Sequence, residues 1–215
     1  MFLEVKNKIL KATKTVGRDP DQVELIAVSK QQPEARIERA LNEGFRVFGE
    51  NRVQEAKGRW QPRRPFFPDL ELHLIGPLQS NKAGDAVALF DIIHTLDRPK
   101  IVRAIKTEMD NQNRPLPCFI QVNTGDEPQK AGVLPKELPD FHHFCRSEIE
   151  LDIIGLMCIP PIHEEAVMHF ALLKTLADEL SLSKLSMGMS GDYEDAIALG
   201  ATHIRVGSAL FGARP

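Results

Sequence analysis

The sequence predicts an α/β protein folded as a single (β/α)8 barrel, and three observations carry this prediction. Eight short apolar segments alternate with helical segments along the whole chain. Most of the apolar segments are continuous runs of Val, Ile and Leu, which is typical of strands buried on both faces of a parallel sheet. The 215 residues suffice for one large core but not for two ordinary domains and a linker. We therefore expect one domain over residues 1–215.

The predicted strands recur at short intervals along the chain. They are residues 23–29, 46–49, 72–76, 90–94, 118–123, 151–158, 185–187 and 203–206. Strict alternation of strands and helices predicts a parallel sheet, either closed into a barrel or open and doubly wound. Eight units favour the barrel.

The helical segments show the signals of helices packed on one face. Residues 1–17 space their apolar side chains at helical intervals, which predicts an extra amphipathic helix before the first strand and not a secretory leader. Pro33 begins another helix and Gly44 ends it. Residues 164–180 place apolar side chains on one face of a further helix.

Composition and charge exclude several function classes. Hydrophobic residues make up 42% of the chain and charged residues 27%, as in a globular protein, and no apolar run approaches the roughly 20 residues of a membrane span. A net charge of −3 gives no reason to expect nucleic-acid binding. The three cysteines form no CxxC pair, which predicts a cytoplasmic protein. We see no apolar helix face left over for a partner copy and expect a monomer.

Chemistry in a barrel is found where strands end and βα loops begin. Lys30 directly follows the first predicted strand. Burial at an apolar barrel mouth favours the neutral amine, and such an amine is the nucleophile that forms Schiff bases with carbonyl compounds. A snorkelling or ion-paired lysine is the alternative, and position alone favours it.

The loops after strands seven and eight are rich in Gly and Ser. Barrels frequently bind phosphate in these two loops through backbone N–H groups. Arg205 lies on the eighth predicted strand beside this site. A permanent positive charge facing a pyridine nitrogen would keep that nitrogen unprotonated. An arginine paired with a barrel carboxylate explains the residue equally well.

Other polar residues have simpler interpretations. Arg59 and the arginines that follow it beside Trp60 are interpreted as a solvated loop edge. The His-His-Phe-Cys segment at 142–145 has no second ligand cluster, so we expect a solvated helix face and no metal site. Lys130 is a second candidate nucleophile, ranked below Lys30 because its loop is polar.

Seven segments, in order and spanning nearly the whole chain, resemble the signatures of the pyridoxal phosphate homeostasis protein family. They are GRDPDQVELIAVSK at 17–30, FGENRVQE at 48–55, HLIGPLQSNK at 73–82, VNTGDEPQKAG at 122–132, IGLMCIPP at 154–161, SMGMSGDYEDAIALGAT at 186–202 and IRVGSALFGAR at 204–214. The agreement of seven separate blocks makes the resemblance specific. Gln31 and Gln32 depart from it, because the family often has a threonine after the lysine.

The resemblance implies the fold of the alanine racemase N-terminal domain, with pyridoxal 5'-phosphate as cofactor. It implies that Lys30 forms the Schiff base and that Arg205 faces the pyridine nitrogen. The remaining implied contacts are Ser190, Gly207 and Ser208 at the phosphate, Asn51 near the ring, and His73 and Met157 lining the cavity. His73 could instead be a satisfied polar residue inside the barrel, and Met157 could be core packing.

The resemblance implies that the protein carries this vitamin B6 cofactor and serves pyridoxal phosphate-dependent apoenzymes. It favours this carrier role over a role as an enzyme. A racemase is the first alternative and would need an acid or base on each face of the bound substrate. Alanine racemases bring a tyrosine on a separate domain, and we expect no such domain here. The only tyrosine, Tyr193, lies in the predicted helix after strand seven. A Schiff-base aldolase barrel is the third interpretation.

Overall fold

The computed structural model describes residues 2–213 as a closed barrel of eight parallel strands in sequence order. Each strand pairs with the next, and the last pairs with the first. The strands are β1 Glu24–Val28, β2 Val47–Glu50, β3 Glu71–Leu74, β4 Ile92–Leu96, β5 Cys118–Val122, β6 Ile153–Cys158, β7 Lys184–Met189 and β8 His203–Val206. This architecture confirms the predicted fold class.

All eight predicted strands are present, with shifted ends. The clearest difference is β4, which begins at Ile92 although the prediction began it at Phe90. The Asp91 carboxylate instead accepts hydrogen bonds from the side chains of Arg64 and Arg114 and from the Leu72 amide. These bonds tie the loop before β4 to its neighbours, so residues 90 and 91 do not join the strand.

Helices surround the barrel. They are α1 Phe2–Thr15, α2 Glu34–Asn42, α3 Val53–Trp60, α4 Ala83–Leu89, α5 Pro99–Asn111, α6 Leu138–His143, α7 Ala166–Glu179, α8 Tyr193–Ala198 and α9 Ser208–Phe211. The extra N-terminal helix is confirmed: α1 buries Phe2, Val5 and Ile9. The Phe2 ring packs on Phe45 at 4.8 Å between centroids.

The apolar core lies mainly between the strands and the helices. Phe48 on β2 and Trp60 on α3 are fully buried there, with ring centroids 4.5 Å apart. Burying a large apolar side chain stabilises the fold by roughly 1.5–3 kcal/mol. The inside of the barrel is more polar, because His73, His94 and Ser186 are fully buried in it.

Two glycines fix the loops at the carboxyl ends of the strands. A Cβ on Gly76 would stand 2.3 Å from the carbonyl oxygen of Asn51, so the loops after β2 and β3 pack backbone against backbone. Gly188 in β7 has a φ of +91°, and a Cβ there would meet Ala196 at 2.6 Å. Only glycine takes such a conformation at no steric cost.

Two further observations bear on function classes. No helix in the described part of the chain is both long enough and apolar enough to cross a membrane. Within residues 2–213, no three or more His, Cys, Asp or Glu side chains are arranged to hold a metal ion.

Candidate functional site

Two neighbouring cavities open among the loops at the carboxyl ends of the strands in the described part of the chain, and Asn51 lines both. The larger, about 610 Å³, is lined by residues that follow β2, β3 and β4 and by none of the other predicted site residues. The smaller, about 270 Å³, contains Lys30 and is near the lower end of the size range for small-molecule sites. Side chains from the ends of β1, β2, β7 and β8 line it together with Ile75 and Ile159. Six of the eight predicted site residues are in this lining: Lys30, Asn51, Ser190, Arg205, Gly207 and Ser208.

Lys30 lies in a tight turn directly after β1 and is half-buried. The Gln32 amide donates to the Ser29 carbonyl at 3.1 Å, which closes the turn around the lysine. Gln31 takes a φ of +56°, a region that residues with a side chain rarely adopt. Its amide donates to the Glu55 carboxylate at 2.8 Å, and this bond stabilises the unusual backbone.

A buried ion pair holds the backbone on both sides of Lys30. Arg59 donates to the carbonyls of Ser29 at 2.9 Å and Gln32 at 3.1 Å, and to the Glu50 carboxylate at 2.8 Å. Its side chain is only 8% exposed. The interpretation of Arg59 as part of a solvated loop edge is therefore wrong. Glu50 at the end of β2 supplies a buried anion that draws the guanidinium inward.

Glu50 is a fully buried carboxylate with three donors. Ser29 Oγ donates to it at 2.7 Å and Trp60 Nε1 at 3.0 Å, in addition to Arg59. Burial raises the pKa of Glu50, and these hydrogen bonds oppose the increase. The carboxylate thus joins β1, β2 and α3 at one point behind the lysine.

The loops after β7 and β8 meet at Ser190. Its Oγ accepts hydrogen bonds from the backbone N–H of Gly207 at 3.2 Å and of Ala209 at 3.3 Å. Asp192 shapes the first loop by accepting from the Met189 amide at 2.5 Å. Ser190 Oγ therefore accepts two backbone N–H bonds at the cavity wall, and its own proton is left to donate to an anionic group in the cavity.

Arg205 lines the same cavity and is almost fully buried. Its guanidinium donates to Ser186 Oγ at 2.6 Å and to the Cys158 carbonyl at 2.7 Å. Burial lowers the pKa of Arg205, but a guanidinium stays protonated in proteins. These two bonds go to a hydroxyl and a carbonyl, so they favour the ligand-facing interpretation over the carboxylate-paired one.

Asn51 presents an unsatisfied acceptor at the cavity. Its Oδ1 is buried and has no hydrogen-bond partner among the described residues. A buried polar atom without a partner is destabilising, so such atoms mark places where a ligand or water belongs. This oxygen is the strongest local sign that a polar ligand completes the cavity.

His73 and Met157 differ from the expectation that they line the cavity. His73 is fully buried in the middle of β3, below the mouth of the barrel, and bonds to His94 and Glu71. Met157 is fully buried and stands beside Ser186 in the register of β6 and β7. Ile75 and Ile159, two residues further along the chain from His73 and Met157, line the cavity instead, so His73 and Met157 form the layer beneath it.

Sequence reasoning missed Glu50, His94 and Ser186. Glu50 could have been flagged because a carboxylate at the end of an apolar strand is unusual. His94 and Ser186 give no local signal, since they are 92 residues apart and meet only through barrel closure.

Comparison with known proteins finds relatives that cover nearly the whole chain. Residues 5–215 match the family described as alanine racemase, N-terminal domain. The pyridoxal phosphate homeostasis protein of Pseudomonas aeruginosa is 42% identical over 216 residues, covering 98% of this chain and 93% of that protein. The protein of the same name from Escherichia coli K12 is 37% identical over 220 residues, covering 98% and 94%. The structure of PipY from Synechococcus elongatus with pyridoxal phosphate bound is 40% identical, with a TM-score of 0.80, covering 95% and 100%.

The closed barrel, with a lysine after its first strand and Gly- and Ser-containing loops after its last two, defines an alanine racemase N-terminal type of barrel. Within this class, the sequence identities of 42% and 37% to the two bacterial relatives identify one family. The chain belongs to the pyridoxal phosphate homeostasis protein family.

Proposed function

We propose that this protein binds pyridoxal 5'-phosphate covalently through Lys30 and serves in homeostasis of that cofactor. One observation carries the proposal: Lys30 shares a single cavity with Ser190, Arg205 and the orphaned amide oxygen of Asn51. The relative PipY, whose structure contains pyridoxal phosphate, supports the choice of ligand. The names of the relatives from Pseudomonas aeruginosa and Escherichia coli support the homeostatic role.

Pyridoxal phosphate supplies an aldehyde, a phosphate and a pyridine nitrogen. In our proposal Lys30 Nζ forms a bond to the aldehyde carbon, and the aldehyde oxygen leaves as water. Ser190, Gly207 and Ser208 line the part of the cavity that holds the phosphate, and the hydroxyl protons of the two serines are donated to it. Arg205 donates to the pyridine nitrogen.

The other predicted residues have supporting roles in this proposal. Asn51 Oδ1 accepts from a donor of the ligand or of an ordered water and so becomes satisfied. His73 and Met157 support the floor of the cavity and do not contact the reacting atoms, because they lie in the layer beneath it.

The lining of the cavity supports a carrier over a racemase. Racemisation needs a proton donor or acceptor on each face of the substrate carbon. In the described part of the chain the lining holds two titratable side chains, Lys30 and Arg205, and no carboxylate, imidazole or phenol. Tyr193 is buried in α8 away from this lining, and burial raises the pKa of its phenol. A lysine alone can take up and release the cofactor.

We further propose that the protein works as a monomer in the cytoplasm and delivers the cofactor to pyridoxal phosphate-dependent apoenzymes. The state of the cysteines supports a reducing compartment. Cys118, Cys145 and Cys158 are all free and buried. Burial raises the pKa of Cys145 and of Cys158 to about 12, which leaves the thiols unreactive.

A transfer experiment tests the carrier role. Loaded protein is mixed with an aminotransferase stripped of its cofactor, and the gain in aminotransferase activity is compared with that from a Lys30→Ala variant treated in the same way. We expect transfer from the unaltered protein only. In parallel, L-alanine and other L-amino acids are incubated with loaded protein, and D-isomer formation is followed by chiral chromatography. Sustained turnover to the D-isomer would contradict the carrier assignment.

A further inference from the structure

A line of hydrogen-bonded side chains crosses the inside of the barrel beneath the cavity. Arg205 donates to Ser186 Oγ at 2.6 Å, and that oxygen lies 2.9 Å from His94 Nδ1. On its other side, His94 Nε2 lies 2.8 Å from His73 Nδ1. His73 Nε2 then lies 2.7 Å from the Glu71 carboxylate. We call these five residues the polar chain.

The polar chain connects two opposite ends of the barrel. Arg205 lies in the cavity at the carboxyl ends of the strands. Glu71 is the first residue of β3, at the other end, and its side chain is 41% exposed. The three residues between them are fully buried. Solvent at the amino-terminal end of the strands is thus linked to the cavity by continuous hydrogen bonds.

Donor and acceptor chemistry fixes the direction of the polar chain. A guanidinium only donates, so Ser186 Oγ accepts from Arg205 and its own proton is free to go to His94 Nδ1. His94 then carries its proton on Nε2 and donates it to His73 Nδ1. His73 likewise carries its proton on Nε2 and donates to the Glu71 carboxylate. This order begins at a cation, ends at an anion and leaves no member unsatisfied.

The opposite direction is less favourable. Nδ1 of both histidines would carry a proton, and His73 would need a second proton to avoid placing a bare nitrogen against the Glu71 carboxylate. The Ser186 hydroxyl would then accept two bonds and lose His94 as the acceptor for its own proton. The surroundings agree with neutral imidazole at His94, because burial, with a smaller effect from the charge of Arg205, lowers its pKa well below the usual range. The bond from His73 lowers the pKa of Glu71, which keeps the carboxylate ionised.

We propose that Ser186, His94, His73 and Glu71 are positioning residues that hold the Arg205 guanidinium in its orientation toward the bound cofactor. This inference rests on the proposed function, since it assigns the cofactor ring as the partner of Arg205. Ser186 and the Cys158 carbonyl use two guanidinium donors, and others remain for the cavity. The Glu71 carboxylate stabilises the order of bonds, so a change at the far end of the barrel alters the cofactor site.

The first test needs no cofactor. Side-chain ¹⁵N NMR of the unloaded protein at neutral pH reports which ring nitrogen of each histidine carries the proton, with assignment from the His73→Gln and His94→Gln variants. We expect both His73 and His94 to be neutral with the proton on Nε2. A proton on Nδ1 of His94, or a doubly protonated His73, would overturn the direction of the polar chain.

The second test compares three variants at the exposed end. Glu71→Ala removes the final acceptor, whereas Glu71→Gln keeps an amide oxygen in its place. Glu24→Ala is the control for charge alone, because Glu24 is a half-buried carboxylate that lies close enough to act electrostatically on Glu71 and His73 but supplies none of the hydrogen bonds of the polar chain. We expect Glu71→Ala to shift the visible absorption maximum of bound pyridoxal phosphate and to increase its release rate about tenfold, from the loss of one charge-assisted hydrogen bond. Glu71→Gln rescues much of this effect.

Two outcomes overturn the proposal: a Glu71→Ala protein with the absorption maximum and release rate of the unaltered protein, or a Glu24→Ala protein with the same changes as Glu71→Ala. Circular dichroism verifies that each variant is folded. If the unaltered protein takes up no pyridoxal phosphate, the proposed function fails, and the NMR measurement still decides whether the polar chain is ordered as described.

Discussion

Replacing Arg59 by methionine perturbs the site from behind Lys30 without touching the cavity lining. The change removes the partner of the fully buried Glu50 and both bonds that hold the Ser29 and Gln32 carbonyls. Breaking a buried ion pair on one side is destabilising by roughly 3–5 kcal/mol. Glu50 keeps its bonds from Ser29 and Trp60, so we expect the lower end, about 3 kcal/mol.

The pH dependence of this loss follows from the sign of the Glu50 shift. Burial already raises the pKa of Glu50, and removing Arg59 raises it further. A carboxyl whose pKa is higher in the folded than in the unfolded state binds its proton more tightly when folded. Its contribution to stability is therefore present below the unfolded pKa and is lost as the pH rises through the folded pKa. The loss in free energy of unfolding caused by Arg59→Met should therefore be larger at pH 8 than at pH 5.

Urea unfolding followed by circular dichroism measures both effects. With a denaturant slope of about 3 kcal/mol/M, a loss of about 3 kcal/mol lowers the midpoint by about 1 M. Arg39→Met is the control, because Arg39 forms an exposed pair with Glu43 one turn away, and such pairs contribute about 0.5 kcal/mol or less. Adding Glu50→Gln to Arg59→Met should recover part of the loss. Equal midpoints for Arg59→Met and Arg39→Met, or a deficit independent of pH, would refute the reasoning.

Three further predictions concern the barrel interior and the cavity. Burial and the neighbouring charged groups lower the pKa of His203 to about 3, so its contribution to the free energy of unfolding is complete above about pH 6.5 and is lost as the pH falls. This residue alone should account for about 2 kcal/mol of stability lost between pH 7 and pH 5. His203→Asn should remove that part of the pH dependence of stability measured in urea titrations. Ser190→Ala removes the hydroxyl that donates to the phosphate and also positions the Gly207 and Ala209 amides. It should weaken pyridoxal phosphate binding about tenfold and leave pyridoxal, which lacks the phosphate, nearly unaffected in fluorescence titrations. Asn51→Ala removes an oxygen without a protein partner, so thermal unfolding should show little change in the unloaded protein and a clear loss in the stabilisation that the cofactor gives.

The fold could be predicted from the sequence because both of its signals are local. Each strand is a short apolar run, and the alternation with helices determines that neighbours are parallel. Strand ends were less predictable, because Asp91 leaves the strand pattern to bond with Arg64 and Arg114, which are distant in sequence. No periodicity reports such long-range bonds.

Part of the cavity could be predicted from the sequence because its residues follow from the positions of the strands. Lys30, Ser190 and Arg205 lie at or near the ends of strands, and the barrel brings those ends together. The role of Arg59 was not predictable from its neighbours, since its buried partners are Glu50 on β2 and the backbone before Lys30. The family resemblance assigns His73 to the cavity but does not say how far inside the barrel the residue lies. The strand register places it one layer beneath the residues that line the cavity.

The most direct test of the central claim is the visible absorption spectrum of the purified protein, recorded before and after borohydride reduction, with the modified residue located by peptide mass spectrometry. We expect a yellow protein that loses its colour on reduction and carries the cofactor mass on Lys30. A protein that stays colourless with added pyridoxal phosphate would contradict it and favour the aldolase interpretation, and an adduct on Lys130 in place of Lys30 would contradict the assignment of the site.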